Sequence, residues 1–384
     1  MNTNKIIYLD YMATTPVASE VVDAMLPYLK DQFGNASSNN QYGYTAKEAI
    51  NTARNQVATT CGAKPEEIIF TSGATEATNM ALKGVAEFYK KSGNHIITLT
   101  TEHAATLATC KYLELHGYEV SYLEPEKNGL LNLNKLRAAL KPTTILVSIC
   151  HVNNEIGVIQ DINKIGEIVS ENGALLHIDA AQSIGKTELN LSESKVSLAS
   201  LSAHKCYGPK GVGALYVSKN PRIHISPLNH GGGQEKKLRS GTVPTHQVVG
   251  MGVAYEIAQV NFKNNLEIVK KLQRILISGL SKIPDIIING DLEMRVPHNL
   301  NITFNNLPGD LLYSCLQSKL ALSSGSACNS HQIKVSHVLT SLGLTFDQAN
   351  ATIRFSYSHQ TSEEDLNIAI SLTKDTVENL RKNI

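Results

Sequence analysis

The residues best suited to chemistry lie in the run Leu201-Ser202-Ala203-His204-Lys205-Cys206-Tyr207-Gly208-Pro209-Lys210-Gly211. Lys205 carries a primary amine among small and apolar neighbours, and a lysine becomes a nucleophile when it is desolvated or held near other cations. Twenty-six residues earlier, Asp179 ends an apolar run, His177-Ile178-Asp179. A lysine that can form a Schiff base and a buried aspartate that can hold a pyridinium nitrogen are the two groups that pyridoxal 5'-phosphate chemistry requires. Taken singly, Lys205 reads as an ordinary charged loop residue. His204 beside it and Ser202 argue for more.

Other candidates follow the ends of apolar runs. Thr71-Ser72-Gly73-Ala74-Thr75-Glu76 leaves a strand-like segment and opens a helix-like one. Small residues there let main-chain N–H groups meet a phosphate at the positive end of a helix, with the Thr75 hydroxyl as a further donor. By itself the same run is a common helix start. His103, in Thr101-Glu102-His103, can stack on a ring and act as acid or base, and alone it reads as a surface histidine. Asn154 follows the run that ends at Cys150, and Gln182 follows Asp179. Ligands of open α/β sheets bind beyond the carboxyl ends of the strands, so four such ends carrying polar groups point to one site. Arg354 interrupts an apolar strand pattern and calls for a carboxylate, from the protein or from a ligand. Cys328, in Ser324-Gly325-Ser326-Ala327-Cys328, lies outside any apolar periodicity, which favours an exposed thiol on a flexible loop. Cys61, Cys110, Cys150 and Cys315 fall inside apolar patterns and are expected to be buried; Cys206 is ambiguous.

Strands are predicted over 67–70, 95–99, 118–123, 144–150 and 174–178, with helices over 75–91 and 107–115 between them. Such alternation, with nearly continuous apolar strands, predicts an α/β fold with a mainly parallel sheet covered on both faces. A long helical stretch over 247–283, with room for one break, leads into a smaller α+β unit. Its strands are predicted over 285–289, 299–304 and 352–357, and its helices over 309–320 and 363–382.

The 384 residues allow two or three domains, and 42% hydrophobic residues can fill a large core. The net charge of +1 gives no reason to expect direct nucleic-acid contact. The amino-terminal residues show no signal-peptide pattern, and no apolar run is long enough to cross a membrane. Six scattered cysteines with no CxxC pair argue for reduced thiols, a cytoplasmic setting and no resident metal site.

These residues, together with Tyr8-Leu9-Asp10-Tyr11-Met12-Ala13-Thr14-Thr15-Pro16, Arg239-Ser240-Gly241-Thr242 and Ile353-Arg354-Phe355-Ser356, resemble the cysteine desulfurases that use pyridoxal phosphate. The resemblance spans nearly the whole chain and is strongest to the first group, with its long cysteine loop, and to the housekeeping type of the iron–sulfur cluster pathway. It implies PLP fold type I, with a seven-stranded sheet in a large domain (16–260). A small domain (1–15 and 261–384) would carry the cysteine loop (about 323–335). It implies that Lys205 forms the Schiff base, Asp179 holds the pyridine nitrogen, Gln182 the phenolic oxygen, and His103 stacks on the ring. Ala74, Thr75, Ser202 and His204 would bind the phosphate, joined by Thr242 from the second subunit of a homodimer. Asn154 and Arg354 would grip the carboxylate of L-cysteine. Cys328 would take the sulfur, with a transient contact to a cluster and transfer to an iron–sulfur scaffold or a tRNA thiolation enzyme.

The sequence departs from the family at Ala36 and Asn40, where a proline and a histidine are usual, and in the run after Cys328. These changes are expected to alter loop packing and loop motion. With its last residue at Ile384, the chain is expected to lack the segment that relatives use on the scaffold. An aminotransferase or selenocysteine lyase on the same fold, and a sulfur-relay subunit, are the competing readings.

Overall fold

The structure is a computed structural model that describes residues 6–329 and 332–383, with the main chain alone over 326–329 and 332–334. A seven-stranded sheet forms its centre. In spatial order its strands are Ile68–Thr71, Gly213–Val217, Leu198–Ser202, Leu175–Asp179, Thr144–Cys150, His95–Leu99 and Glu119–Leu123. All run parallel except Gly213–Val217, which is antiparallel to both of its neighbours. The sheet is therefore mixed but mostly parallel. Its six parallel strands end at one edge.

The strands are apolar on both faces because both faces are covered. On one face Ile69, Leu146, Leu198 and Leu215 pack with Met80, Ala81 and Val85 of the helix Ala74–Tyr89 and with Cys110 and Leu113 of Ala104–Glu114. On the other, Phe70, Val147, Ile178 and Ala199 meet the helices Gln41–Cys61 and Ile162–Glu171 and the first half of Thr245–Leu280. Asn40 caps Gln41–Cys61 by accepting the Gly43 N–H at 3.0 Å, so this departure from the family pattern serves a local helix start.

The helix Thr245–Leu280 is continuous, where the sequence allows for a break. Val248, Met251 and Tyr255 belong to the core of the large sheet. Val269, Leu272, Leu276 and Leu280 belong to a second core. That core backs a four-stranded antiparallel sheet ordered Ser323–Ser324, Thr352–Ser356, Asn299–Phe304, Ile286–Ile288. The helices Gly309–Gln317 and Glu363–Lys382 complete it. The amino-terminal segment joins the same core through Ile7 and Leu9, with Ile7–Tyr8 paired parallel to Leu320–Ala321. The chain then crosses to the large sheet, where the Thr15 N–H donates to the His204 carbonyl at 3.0 Å.

One expectation changes, one segment gains a defined form, and two strands were not foreseen. Cys315 is exposed, because its helix buries Gly309, Leu312 and Leu316 and Cys315 projects from another face. The main chain of the loop around Cys328 forms a hairpin, Ser326–Asn329 against Gln332–Val335 with Cys328 opposite Ile333. The sequence pattern did not single out Leu198–Ser202 and Gly213–Val217, the two strands on either side of Lys205.

Gly213 is the tightest joint of this architecture. A Cβ there would sit 2.4 Å from the Leu201 carbonyl oxygen and 2.7 Å from the Gly73 Cα. Gly213→Ala is expected to cost about 1–3 kcal/mol, seen as a lower thermal unfolding midpoint, because the overlap is with backbone that cannot turn aside.

Candidate active site

The carboxyl edge of the large sheet opens into a cleft of about 450 Å³. Ala74, Thr75, His103, Asn154, Asp179, Gln182, Ser202, His204 and Lys205 all line it. The parallel strands bring them together, since each residue stands at or just beyond a strand end. The sequence-predicted residues outside this lining are Thr242, Arg354 and Cys328. Thr242 is exposed on the segment after Arg239. The Cys328 side chain lies outside the described residues.

One end of the cleft is an anion cradle. Gly73, at φ 153°, precedes the helix Ala74–Tyr89, and nothing lies within 4 Å of where its Cβ would be. This conformation leaves the open first turn facing the cleft beside Thr75. Glu76 accepts the Ser72 N–H at 2.5 Å and pairs with Arg239 at 2.9 Å, which docks the Arg239-Ser240-Gly241-Thr242 run against the start of the helix. Burial would raise the Glu76 pKa, but the Arg239 and Ser72 hydrogen bonds hold it below the usual carboxylate range. Ser202 and His204 border the cleft with this cradle.

Across the cleft, Asp179 is 7% exposed and accepts the Ala181 N–H at 3.0 Å. Burial raises its pKa, opposed by that N–H and by the nearby His103 and Lys205. Gln182 donates to the Met12 carbonyl at 2.8 Å, and its buried Oε1 has no partner among the described residues. The cleft thus offers a buried carboxylate suited to a cationic N–H, an unfilled amide oxygen, and a phosphate cradle. Those are the contacts pyridoxal phosphate requires, so these residues fit that cofactor. His103 is exposed and caps the helix Ala104–Glu114, with Nδ1 accepting the Ala105 N–H at 3.1 Å. The proton of a neutral ring then sits on Nε2.

Lys205 reaches from the loop after Leu198–Ser202. Its Nζ donates to the main-chain carbonyls of Met12 and Ala13, at 2.8 and 2.7 Å. Burial first, then Arg354, lower its pKa to about 8, against the pull of Asp10 and Asp179. The neighbouring Cys206 is buried, and burial pushes its thiol up to about 12, which favours the protonated thiol.

Arg354 lines an adjacent recess of about 320 Å³ that shares Asn154 with the cleft. Its Nη2 donates to Asp10 Oδ1 and to Ser323 Oγ, both at 2.6 Å, and its Nη1 to the Asn154 carbonyl at 2.8 Å. The buried Nε has no partner among the described residues. The carboxylate that Arg354 called for is therefore Asp10 of the protein, with the Nε N–H left over.

The hairpin that carries Cys328 is tied to this region at its base. Ser336 donates to Glu155 Oε2 at 2.5 Å, and His337 Nε2 lies 2.9 Å from the Glu102 carbonyl. Glu155 and Glu102 adjoin Asn154 and His103. Glu102 was not singled out in the sequence. It is fully buried, accepts the Cys150 N–H at 2.8 Å, and has its pKa raised to about 8 chiefly by burial, which favours its neutral form beside Asp179. Its only signal was a place in the Thr101-Glu102-His103 run. Asp10 lay in a quoted motif without an assigned partner, and Lys186 was not singled out.

Comparison with known proteins agrees with this geometry. Residues 7–368 match the family model described as Aminotransferase class-V. The chain is 51% identical over 378 residues to a protein named cysteine desulfurase IscS from Buchnera aphidicola subsp. Baizongia pistaciae, covering 98% of this chain and 93% of that one. Among solved structures, a NifS-like protein superposes with a TM-score of 0.92 at 36% identity, covering 98% of this chain and all of the other (100%). A structure described as SspA in complex with cysteine superposes at 0.82 with 38% identity, covering 93% and 100%. The fold, the lysine cleft and these matches agree: the chain belongs to the class-V aminotransferase family.

Proposed function

We propose that this chain is a cysteine desulfurase that uses pyridoxal phosphate. It converts L-cysteine to L-alanine and leaves the sulfur as a persulfide on Cys328. The observation that carries the reading is Lys205, a desolvated amine facing Asp179 across a cleft that ends in an anion cradle. The identity to IscS proteins and the likeness to a cysteine-bound structure support the substrate class.

Bound there, the cofactor would supply an electron sink for the bonds at the substrate α-carbon. The chain's own residues do the rest. Asp179 would hold the ring nitrogen, Gln182 would meet the phenolic oxygen, and His103 would cover the ring. Ala74, Thr75, Ser202 and His204 would seat the phosphate, and Thr242 of a second copy would close that seat. Lys205 would hold the cofactor covalently and move the proton at the α-carbon. Asn154 and the Nε of Arg354 take the substrate carboxylate. Cys328 must be a thiolate to accept sulfur. His103 is the candidate base for its proton.

The homodimer has support in an exposed apolar surface near the amino terminus. Val22, Leu26 and Leu29 of the helix Ser19–Lys30 are exposed, as are Phe33, Tyr42 and Tyr44. Among the described residues no helix is long and apolar enough to cross a membrane. The persulfide would pass to an acceptor protein of iron–sulfur cluster assembly or tRNA thiolation.

Two outcomes are expected. Incubated with L-cysteine, the wild type forms alanine and gains one sulfur by intact mass, and Cys328→Ala does neither. Alanine that persists in the variant without a persulfide would instead mark a lyase that bypasses Cys328. The second concerns pH. Burial disfavours the Lys205 ammonium, so the reactive free base appears near pH 8 and not near the ordinary lysine value of 10.5. Covalent capture of pyridoxal phosphate by the cofactor-free chain should therefore rise about tenfold from pH 7 to pH 9 and then level off.

A further inference from the structure

Behind Lys205, on the side away from the cleft, lies a second cavity of about 310 Å³. Lys186, Met12, Tyr207, His298 and Tyr357 contribute to its wall, and Lys205 lines both cavities. Lys186 is 6% exposed. Its Nζ donates to the main-chain carbonyl of Lys205 at 2.8 Å. The charged or ionisable groups that act on it are Lys205 and Cys206, with no carboxylate among them. A buried ammonium whose hydrogen bond goes to the backbone of a second lysine is costly. It is therefore unusual as mere filling.

We propose that Lys186 is a positioning residue for Lys205: it pins the main chain of the Schiff-base lysine from behind and keeps a second positive charge beside it. The proposal rests on Lys205 being the residue that captures pyridoxal phosphate. The geometry supports both parts. The loop around Lys205 is held by the amino-terminal segment, with Thr15 Oγ1 donating to the His204 carbonyl and accepting the Tyr207 N–H at 2.8 Å. Tyr207 adopts φ 59°, a left-handed conformation that a loose loop would abandon. Among the described residues, Lys186 supplies the donor to the Lys205 carbonyl, which would otherwise be left unpaired.

The charges around Lys205 give the second part its sign. Arg354 disfavours its ammonium, and Asp10 and Asp179 favour it; Lys186, whose own pKa burial lowers to about 8, repels it while charged, as the two lysines lie close enough to act on each other. His204, His298 and His359 have pKa values lowered mainly by burial, which keeps these rings neutral at pH 7 and above. Tyr207 and Cys206 are raised by burial and stay neutral as well. Tyr11 also lines the cavity, and Glu20 is exposed at its rim. Removing the Lys186 charge leaves the two aspartates less opposed, so Lys205 should hold its proton to higher pH.

The test uses the full chain stripped of cofactor and supplied with pyridoxal phosphate. Capture is followed against pH, trapped with borohydride and located by peptide mass. Lys186→Met is expected to move the midpoint of capture up by about one pH unit and to slow capture at pH 7 about tenfold. Lys186→Gln, which also lacks the charge but keeps a polar side chain, should shift the midpoint likewise if the methionine variant does not fold. Lys186→Arg, which keeps the charge and a donor, should restore the wild-type midpoint. A midpoint unchanged in the folded Met or Gln variant, even with a lower unfolding temperature, would overturn the proposal and reduce Lys186 to a structural part. Wild-type chain that captures pyridoxal phosphate elsewhere than Lys205, or not at all, would overturn the underlying reading of Lys205 and the proposal with it.

Discussion

The Lys205 amine is held by two main-chain carbonyls, those of Met12 and Ala13. Carbonyl dipoles orient an ammonium without neutralising it, and burial then makes the charged form expensive. Much of the remaining structure is arranged to maintain that state. The amino-terminal segment must cross from the small sheet to the Lys205 loop to deliver those carbonyls. Its pairing with Leu320–Ala321 at one end and with His204 at the other fixes the crossing. The two carboxylates that favour the ammonium make their hydrogen bonds to other groups: Asp10 to Arg354, and Asp179 to the Ala181 N–H.

The same economy links the two cores. Arg354 belongs to the small sheet, yet it bonds Asp10, Ser323 and the Asn154 carbonyl, and so ties the amino-terminal crossing to the edge of the large sheet. The Cys328 hairpin is hung from the same place, through Ser336 and His337 onto residues that adjoin Asn154 and His103. Buried polar groups left unfilled, such as Gln182 Oε1 and Arg354 Nε, are costly in a finished core. Their presence in or beside the cleft is what a binding site requires.

The chemistry was legible in the sequence because it depends on residue type at strand ends. Continuous apolar runs such as Thr144–Cys150 mark covered strands. In a parallel sheet the residues after each run must emerge at the same edge, so Thr75, His103, Asn154 and Asp179 could be grouped without coordinates. Asn299–Phe304 and Glu363–Lys382 were equally plain, the first a short apolar run and the second a helix with a serine cap and an acidic first turn.

The features that stayed hidden depend on contacts between residues far apart in the chain. Asp10 and Arg354 are 344 positions apart, and no local pattern pairs them. Lys186 has the spelling of a surface lysine, and only the packing of its turn against the Lys205 loop buries it. Cys315 shows the converse: its apolar neighbours suggested burial, but the packing of one helix face left it outside. Hydrophobic period and residue chemistry act along the chain and can be read from it. Desolvation, which lowers the pKa of Lys205 and raises that of Glu102, depends on the groups that the rest of the fold places around them.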